Sequence, residues 1–250
     1  MRKIFILLVV ALSCASASAQ TLKILTAGAF KQVAAEFVAP FEKENGIKID
    51  LQNGTAGALV KRISDGELFD VVFLTPAGLA EMSRAGKVDP ATVKQVARVA
   101  IGVAVKAGAP KPPIATVEEF KQAVLRANRI AYIDPASGGS SGIYLDGLFQ
   151  RLGLGEQVKA KAILVPGGYA ADRVASGQAD MAIHQVSEIL PVAGVELAGL
   201  LPAEIQNYTT YGYGISTTTK SQDLAKKFVA SVSAPSAADV IRAKGMQAAQ

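Results

Sequence analysis

The stretch Val174–Gln185, "VASGQADMAIHQ", decides the fold, because Ile63–Thr75, "ISDGELFDVVFLT", says nearly the same thing earlier in the chain. Each runs from a helix end through a glycine and a short turn to an aspartate, Asp70 in the first and Asp180 in the second, and then into a short apolar run of strand type. A chain that repeats this passage is built from two similar halves. An aspartate at the start of a strand reads first as a carboxylate that stabilises a turn; a catalytic pair is the other reading of Asp70 and Asp180.

Working outward from the first stretch, "LKILTA" (22–27) reads as a strand. "KQVAAEFVAPFEKEN" (31–45) follows as a helix with Val33, Phe37 and Phe41 on one face, Pro40 as a point of bending, and Gly46 as its end. Strand "IKIDLQN" (47–53), helix "GALVKRISDG" (57–66) and strand "FDVVFLT" (69–75) complete a β-α-β-α-β unit. Around the second stretch the scheme returns as strand "RIAYIDP" (129–135), helix "SSGIYLDGLFQRLG" (140–153), strand "KAILV" (161–165), helix "YAADRVASG" (169–177) and strand "DMAIHQ" (180–185). "RVAIGVAVKAGAPKPPI" (98–114) links the halves, "YTTYGYGIS" (208–216) is a second long strand, and helical segments fill 221–245. The fold expected is α/β with two lobes, residues 20–100 plus 207–250 in one and 101–206 in the other, joined by a hinge of two crossover strands. A cleft between such lobes is the default ligand site. Tyr211 and Tyr213, in the late strand, read as hinge packing first and cleft lining second.

The chain opens with Arg2 and Lys3, runs apolar from Ile4 to Leu12 and reaches small residues ending Ala17-Ser18-Ala19. This is the pattern of a secretory signal peptide over residues 1–19, too short in its apolar part to span a bilayer, and it places the mature protein in a bacterial periplasm. Cys14 lies inside the leader, with Ala11 where a lipoprotein signal usually carries Leu, so a lipid anchor is the weaker reading. Cleavage removes the only cysteine, so neither a disulfide nor a thiolate metal site is expected, and an ordinary apolar core must hold a monomer together. Of the 26 basic residues two are in the leader, which leaves 24 against 21 acidic ones, a mature net charge of +3. The charge is mild and dispersed, without a basic run interleaved with aromatics, so nucleic acid is not a partner.

In open α/β sheets ligands lie beyond the carboxyl ends of strands, where helix starts offer unpaired N–H groups and a positive dipole end to an anion. Four loops qualify. "TAGAFK" (26–31) brings Gly28, Ala29 and Lys31; "NGTAG" (53–57) brings Thr55 as N-cap or ligand hydroxyl. "SGGSSG" (137–142) brings Ser140, Ser141 and, one turn on, Tyr144; "PGGYAADR" (166–173) opens the helix over 169–177 with Gly167 and Gly168 ahead of it. The single histidine, His184, ends a strand beside Gln185, and structural support, ligand contact and proton transfer are all open to it. Hydrolase elbows, Walker loops, HExxH and the dinucleotide GxGxxG are missing from the sequence, and one histidine cannot supply a metal cluster. No metal or cofactor is expected.

On the stretches 25–75 (from "LTAGAFKQ" to "FDVVFLT"), "IAYIDPASGGSSGIYLDGLFQRLGL" and "VASGQADMAI", the chain resembles the type II periplasmic solute-binding proteins of ABC transporters, in their molybdate-binding branch. The resemblance implies the two-lobe fold, a small anion as ligand, an ABC permease as partner, and a ligand shell of Gly28, Ala29, Lys31, Thr55, Ser140, Ser141, Tyr144, His184 and Gln185. It also implies departures: Gly28 and Ala29 stand where the branch has a serine, Thr55 replaces a second serine, and Gln185 falls near a usual tyrosine. The third loop is longer, and such a mouth suits an organic carboxylate at least as well as a compact tetrahedral anion. A periplasmic aconitate isomerase is similar to the same group, which implies a proton-shift alternative with His184 as the first candidate base and Lys31 as the second.

Overall fold

The computed structural model describes residues 20–249; the leader read at 1–19, with Cys14 in it, lies outside the described residues. β1 (Thr21–Ala27) passes directly into α1 (Gly28–Asn45), and β2 (Lys48–Gly54), α2 (Ala56–Ser64), β3 (Val71–Leu74) and α3 (Pro76–Arg84) follow. Then come β4 (Lys94–Lys106), α4 (Val117–Arg126), β5 (Ile130–Ile133), α5 (Ser140–Arg151), α6 (Gly155–Lys159), β6 (Ala162–Val165), α7 (Asp172–Ala175), β7 (Met181–Gln185) and α8 (Val186–Ile189). β8 (Val195–Leu200), β9 (Tyr208–Ile215), α9 (Gln222–Ser233), α10 (Ala237–Ala243) and β10 (Gln247–Ala248) complete the order.

The strands lie in the order β2-β1-β3-β9-β4-β7-β5-β6, with β8 and β10 also pairing β4. β1 is parallel to β2 and β3, and β5 is parallel to β6 and β7, so each half carries the same parallel triplet. β4 belongs to both halves. Its residues Lys94–Ala100 pair with β9, while Ile101–Val105 pair with β7 and Gly102–Lys106 with β8. The chain returns through Leu201–Asn207 into β9, which pairs β3 and β4. The result is a mixed α/β fold of two lobes.

Alternation along the strands explains why helices cover both faces of each sheet. On β1 and β3, Leu22, Ile24, Val71 and Phe73 point into one apolar cluster and Leu25, Val72 and Leu74 into another. On β5 and β7, Ile130, Tyr132, Met181 and Ile183 face one cluster and Ala131, Ile133 and Ala182 the other. α1 packs its Phe30 against Phe73 with ring centroids 4.7 Å apart, while Phe228 of α9 meets Phe41 edge-on at 5.2 Å, bringing the C-terminal helices onto the first sheet. Pro40 lies inside α1 at an exposed position, and the helix runs on to Gly46, whose φ of 65° supplies the left-handed cap.

Asp70 and Asp180 hold equivalent places and perform the same local work. Asp70 accepts the Lys23 N–H through Oδ2 at 2.7 Å, and Asp180 accepts the Arg129 N–H at 3.0 Å and that of Asn128. Each ties the start of one strand to its parallel neighbour, β3 to β1 and β7 to β5, as a turn-stabilising carboxylate does. The helix expected over 169–177 is shorter: only Asp172–Ala175 is helical, because Gly168 takes a φ of 79° and the buried Ala170 and Ala171 form a turn against the second sheet.

Candidate functional site

The helix starts converge on one small cavity of about 30 Å³ between the lobes. The first lobe contributes Ala27, Gly28 and Ala29 from the β1–α1 junction, Asn53, Gly54, Thr55 and Ala56 from the β2–α2 junction, and Tyr211 from β9. The second contributes Gly139, Ser140 and Ser141 from the start of α5, Ile133 and Gly168, and His184, Gln185 and Glu188 from the end of β7 and the turn of α8. Neither α1 nor α5 has a side-chain cap, so their first N–H groups carry no side-chain acceptor at the cavity.

Three hydrogen bonds form a ring across the cleft. Tyr211 donates to Gln185 Oε1 at 3.0 Å, Gln185 Nε2 donates to Ser140 Oγ at 3.0 Å, and Ser140 Oγ lies 3.1 Å from the Tyr211 hydroxyl, which closes the circle when serine donates. Burial, and after it the charge of Glu188, pushes the Tyr211 phenol far above its ordinary range, so it is a donor at any physiological pH. Ser141 is 2 % exposed and, among the described residues, its hydroxyl makes no hydrogen bond. The hydroxyl open to a ligand is therefore that of Ser141, while Ser140 is committed to the ring.

Beside the ring lies an ionisable pair. His184 Nε2 is 3.1 Å from Glu188 Oε2, with the two side chains 1 % and 9 % exposed. The other ring nitrogen, Nδ1, is buried and has no partner among the described residues. A second oxygen, Glu188 Oε1, lies over the first residue of α1: a Cβ built on Gly28 would stand 2.5 Å from it. The cavity lining contains no lysine and no arginine.

The rim is closed by backbone contact. Gly57 N–H donates to Gly138 O at 3.0 Å, and a Cβ on Gly57 would lie 2.8 Å from Gly138 Cα. Thr55 donates through Oγ1 to Ser137 O and accepts the Ala58 N–H at 3.2 Å, so it acts as N-cap and clasp. Gln32 Nε2 donates to the Tyr169 hydroxyl at 2.6 Å across the same cleft.

Of the residues singled out from sequence, Gly28, Ala29, Thr55, Ser140, Ser141, His184 and Gln185 line the cavity. Two do not. Tyr144 donates its hydroxyl to Ile205 O at 2.8 Å and packs its ring on the second lobe's core, and Lys31, a turn into α1, is outside the lining. The loop glycines also have structural duties, since a Cβ on Gly142 would stand 2.1 Å from Ile133 O. Glu188 was not singled out from sequence; it lies three residues past the end of β7, in the single turn of α8 that brings its carboxylate back onto His184 of that strand. Among the described residues there is no group of three His, Cys, Asp or Glu able to hold a metal, and no helix is long and apolar enough to cross a membrane.

Residues 22–247 match the family described as bacterial extracellular solute-binding proteins. A curated relative, the aconitate isomerase of a Pseudomonas species, is 30% identical over 233 residues, covering 91% of this chain and 87% of the relative. The periplasmic molybdate-binding protein of Azotobacter vinelandii superposes with a TM-score of 0.77 at 22% identity, over 92% of this chain and 100% of that one. The sulfate-binding protein SubI of Mycobacterium tuberculosis superposes at 0.71 with 16% identity, over 91% and 86%. At such identities the two structures speak for the fold alone.

Proposed function

Because the chain belongs to the bacterial extracellular solute-binding proteins, a family of small-ligand traps, we propose that it closes its lobes on a small unsaturated polycarboxylate and shifts the double bond by moving a proton, an isomerase of the aconitate type. The observation that carries this reading is the His184–Glu188 pair, buried in the cavity with 3.1 Å between Nε2 and Oε2. Capture and release alone need no such pair; a proton shift does. The full-length relationship to an aconitate isomerase points the same way.

The chemistry balances without a co-reactant. A methylene beside a carboxylate-bearing double bond gives its proton to neutral His184; the C–H electron pair spreads over the allyl unit and its carboxylate. The imidazolium, stabilised by the Glu188 carboxylate, then returns the proton to the far carbon of that unit. One C–H bond breaks, one forms, and the double bond moves by one position. The ligand's carboxylates are held by the uncapped start of α5 and the hydroxyl of Ser141; the positive ends of α2 and α5, each equivalent to roughly half a charge, supply attraction where the lining has no cationic side chain. Lys31 has no role in this scheme.

A second reading, capture of a small anion in the periplasm for delivery by a monomer to an ABC permease, is favoured by the family. One experiment separates the two. The purified mature chain is incubated with cis- and trans-aconitate and the products are resolved by chromatography. Interconversion that disappears in His184→Ala, with calorimetric binding retained, supports the isomerase; binding without interconversion leaves the capture reading.

A further inference from the structure

Glu188 has a second oxygen that the proton shift does not use. Oε1 lies over the start of α1, so closely that a Cβ at Gly28 would stand 2.5 Å from it and the carboxylate would have to shift. That helix start is uncapped and is one of the positive dipole ends facing the cavity. A protein carboxylate thus already faces one of the helix starts where a tetrahedral anion would find backbone donors. The field of that carboxylate reaches the opposite wall, since the Tyr211 phenol is raised first by burial and then by Glu188. The ionisable groups facing Glu188 are His184, on the other oxygen, and Tyr211; neither lysine nor arginine lines the cavity to offset its charge.

We infer that Glu188 is the specificity-determining residue of the cleft: it turns away fully ionised tetrahedral oxyanions and reserves the start of α1 for an uncharged part of an organic carboxylate, a C–H or hydroxyl group. The inference rests on the carboxylate reading of the cleft and adds the means of selection to it. Two like charges a few ångströms apart in a site screened from water repel strongly, which is how a pocket rejects a competitor of suitable size. Gly28 belongs to the same device. A serine at that position would oblige the Glu188 carboxylate to move from where it rests, because the Cβ alone would stand 2.5 Å from Oε1.

The test is calorimetric titration with sodium molybdate, sodium sulfate and trans-aconitate at neutral pH and low ionic strength. It uses the parent, Glu188→Gln, and a double variant carrying Glu188→Ala with Gly28→Ser. The parent is expected to bind both oxyanions at least tenfold more weakly than trans-aconitate, and at least one variant to gain tenfold or more for an oxyanion. A parent that binds molybdate or sulfate as tightly as trans-aconitate overturns the inference without any variant. So do folded variants, judged by unchanged circular dichroism, that gain no oxyanion affinity. A parent that binds trans-aconitate but never converts it removes the isomerase reading and leaves the selectivity of Glu188 standing.

Discussion

Replacing Gly57 with Ala sets the two lobes against each other at a point where neither can give. The added methyl would lie 2.8 Å from Gly138 Cα and 3.2 Å from Gly138 O, both backbone atoms, and would force apart the 3.0 Å hydrogen bond from Gly57 N–H to Gly138 O. Loss of that bond costs about 1 kcal/mol, and an unaccommodated methyl costs about 1–3 kcal/mol more. Together these disfavour the closed form by roughly 2–4 kcal/mol, which lowers ligand affinity about 30-fold at the least. The open form feels the opposite effect, because Gly57 lies within α2, where alanine is favoured over glycine by up to about 1 kcal/mol. Affinity measured by calorimetry should therefore collapse while the ligand-free melting temperature stays level or rises. Unchanged affinity would refute the claim that this glycine contact closes the cleft, and a lower ligand-free melting temperature would show that the free protein is already shut.

The Arg62–Glu67–Lys23 cluster makes acid stability predictable: hydrogen bonding to Arg62, aided by Lys23, holds the Glu67 carboxyl at about 2. A depressed folded value means the stabilisation is complete above the ordinary value of 4.5 and is lost as pH falls from there towards 2. Glu67→Gln should lower stability at pH 7 by about 1 kcal/mol, reduced by the partial exposure of the cluster, with the gap to the parent shrinking through that window in urea titrations. Asp180→Ala removes the acceptor for the Asn128 and Arg129 N–H groups, which are exposed and can turn to water, so a loss of about 1 kcal/mol, or roughly 2–4 °C in melting temperature, is expected. A loss several times larger would mean that the aspartate does more than hold a turn.

Much of the architecture was legible because period and punctuation agree. The strands at 22–27 and 69–75 alternate between two buried faces, the glycine-to-aspartate passage recurs, and the loops "TAGAFK", "NGTAG" and "SGGSSG" do open helices at one cavity. Geometry that depends on side-chain direction was not legible. Tyr144 is one turn along α5 from Ser140, yet its ring turns to the core and its hydroxyl finds Ile205 O. Lys31, three residues along α1 from Gly28, likewise stands outside the cavity lining. Glu188 escaped because α8 is a single turn, too short for apolar periodicity to reveal. Gly28 was read as part of the ligand shell, whereas the Glu188 carboxylate lies over it.

The central claim is that the His184–Glu188 pair moves a proton on a bound carboxylate, and isotope exchange tests it most directly. Mature protein and its His184→Gln variant are incubated with trans-aconitate in deuterium oxide, and proton NMR follows the methylene and vinyl signals. The account predicts that the parent exchanges or relocates the allylic hydrogens as cis-aconitate appears, and that the variant, still binding by calorimetry, does neither. Full binding by the parent with no exchange at either carbon, or exchange that persists unchanged in His184→Gln, would contradict it.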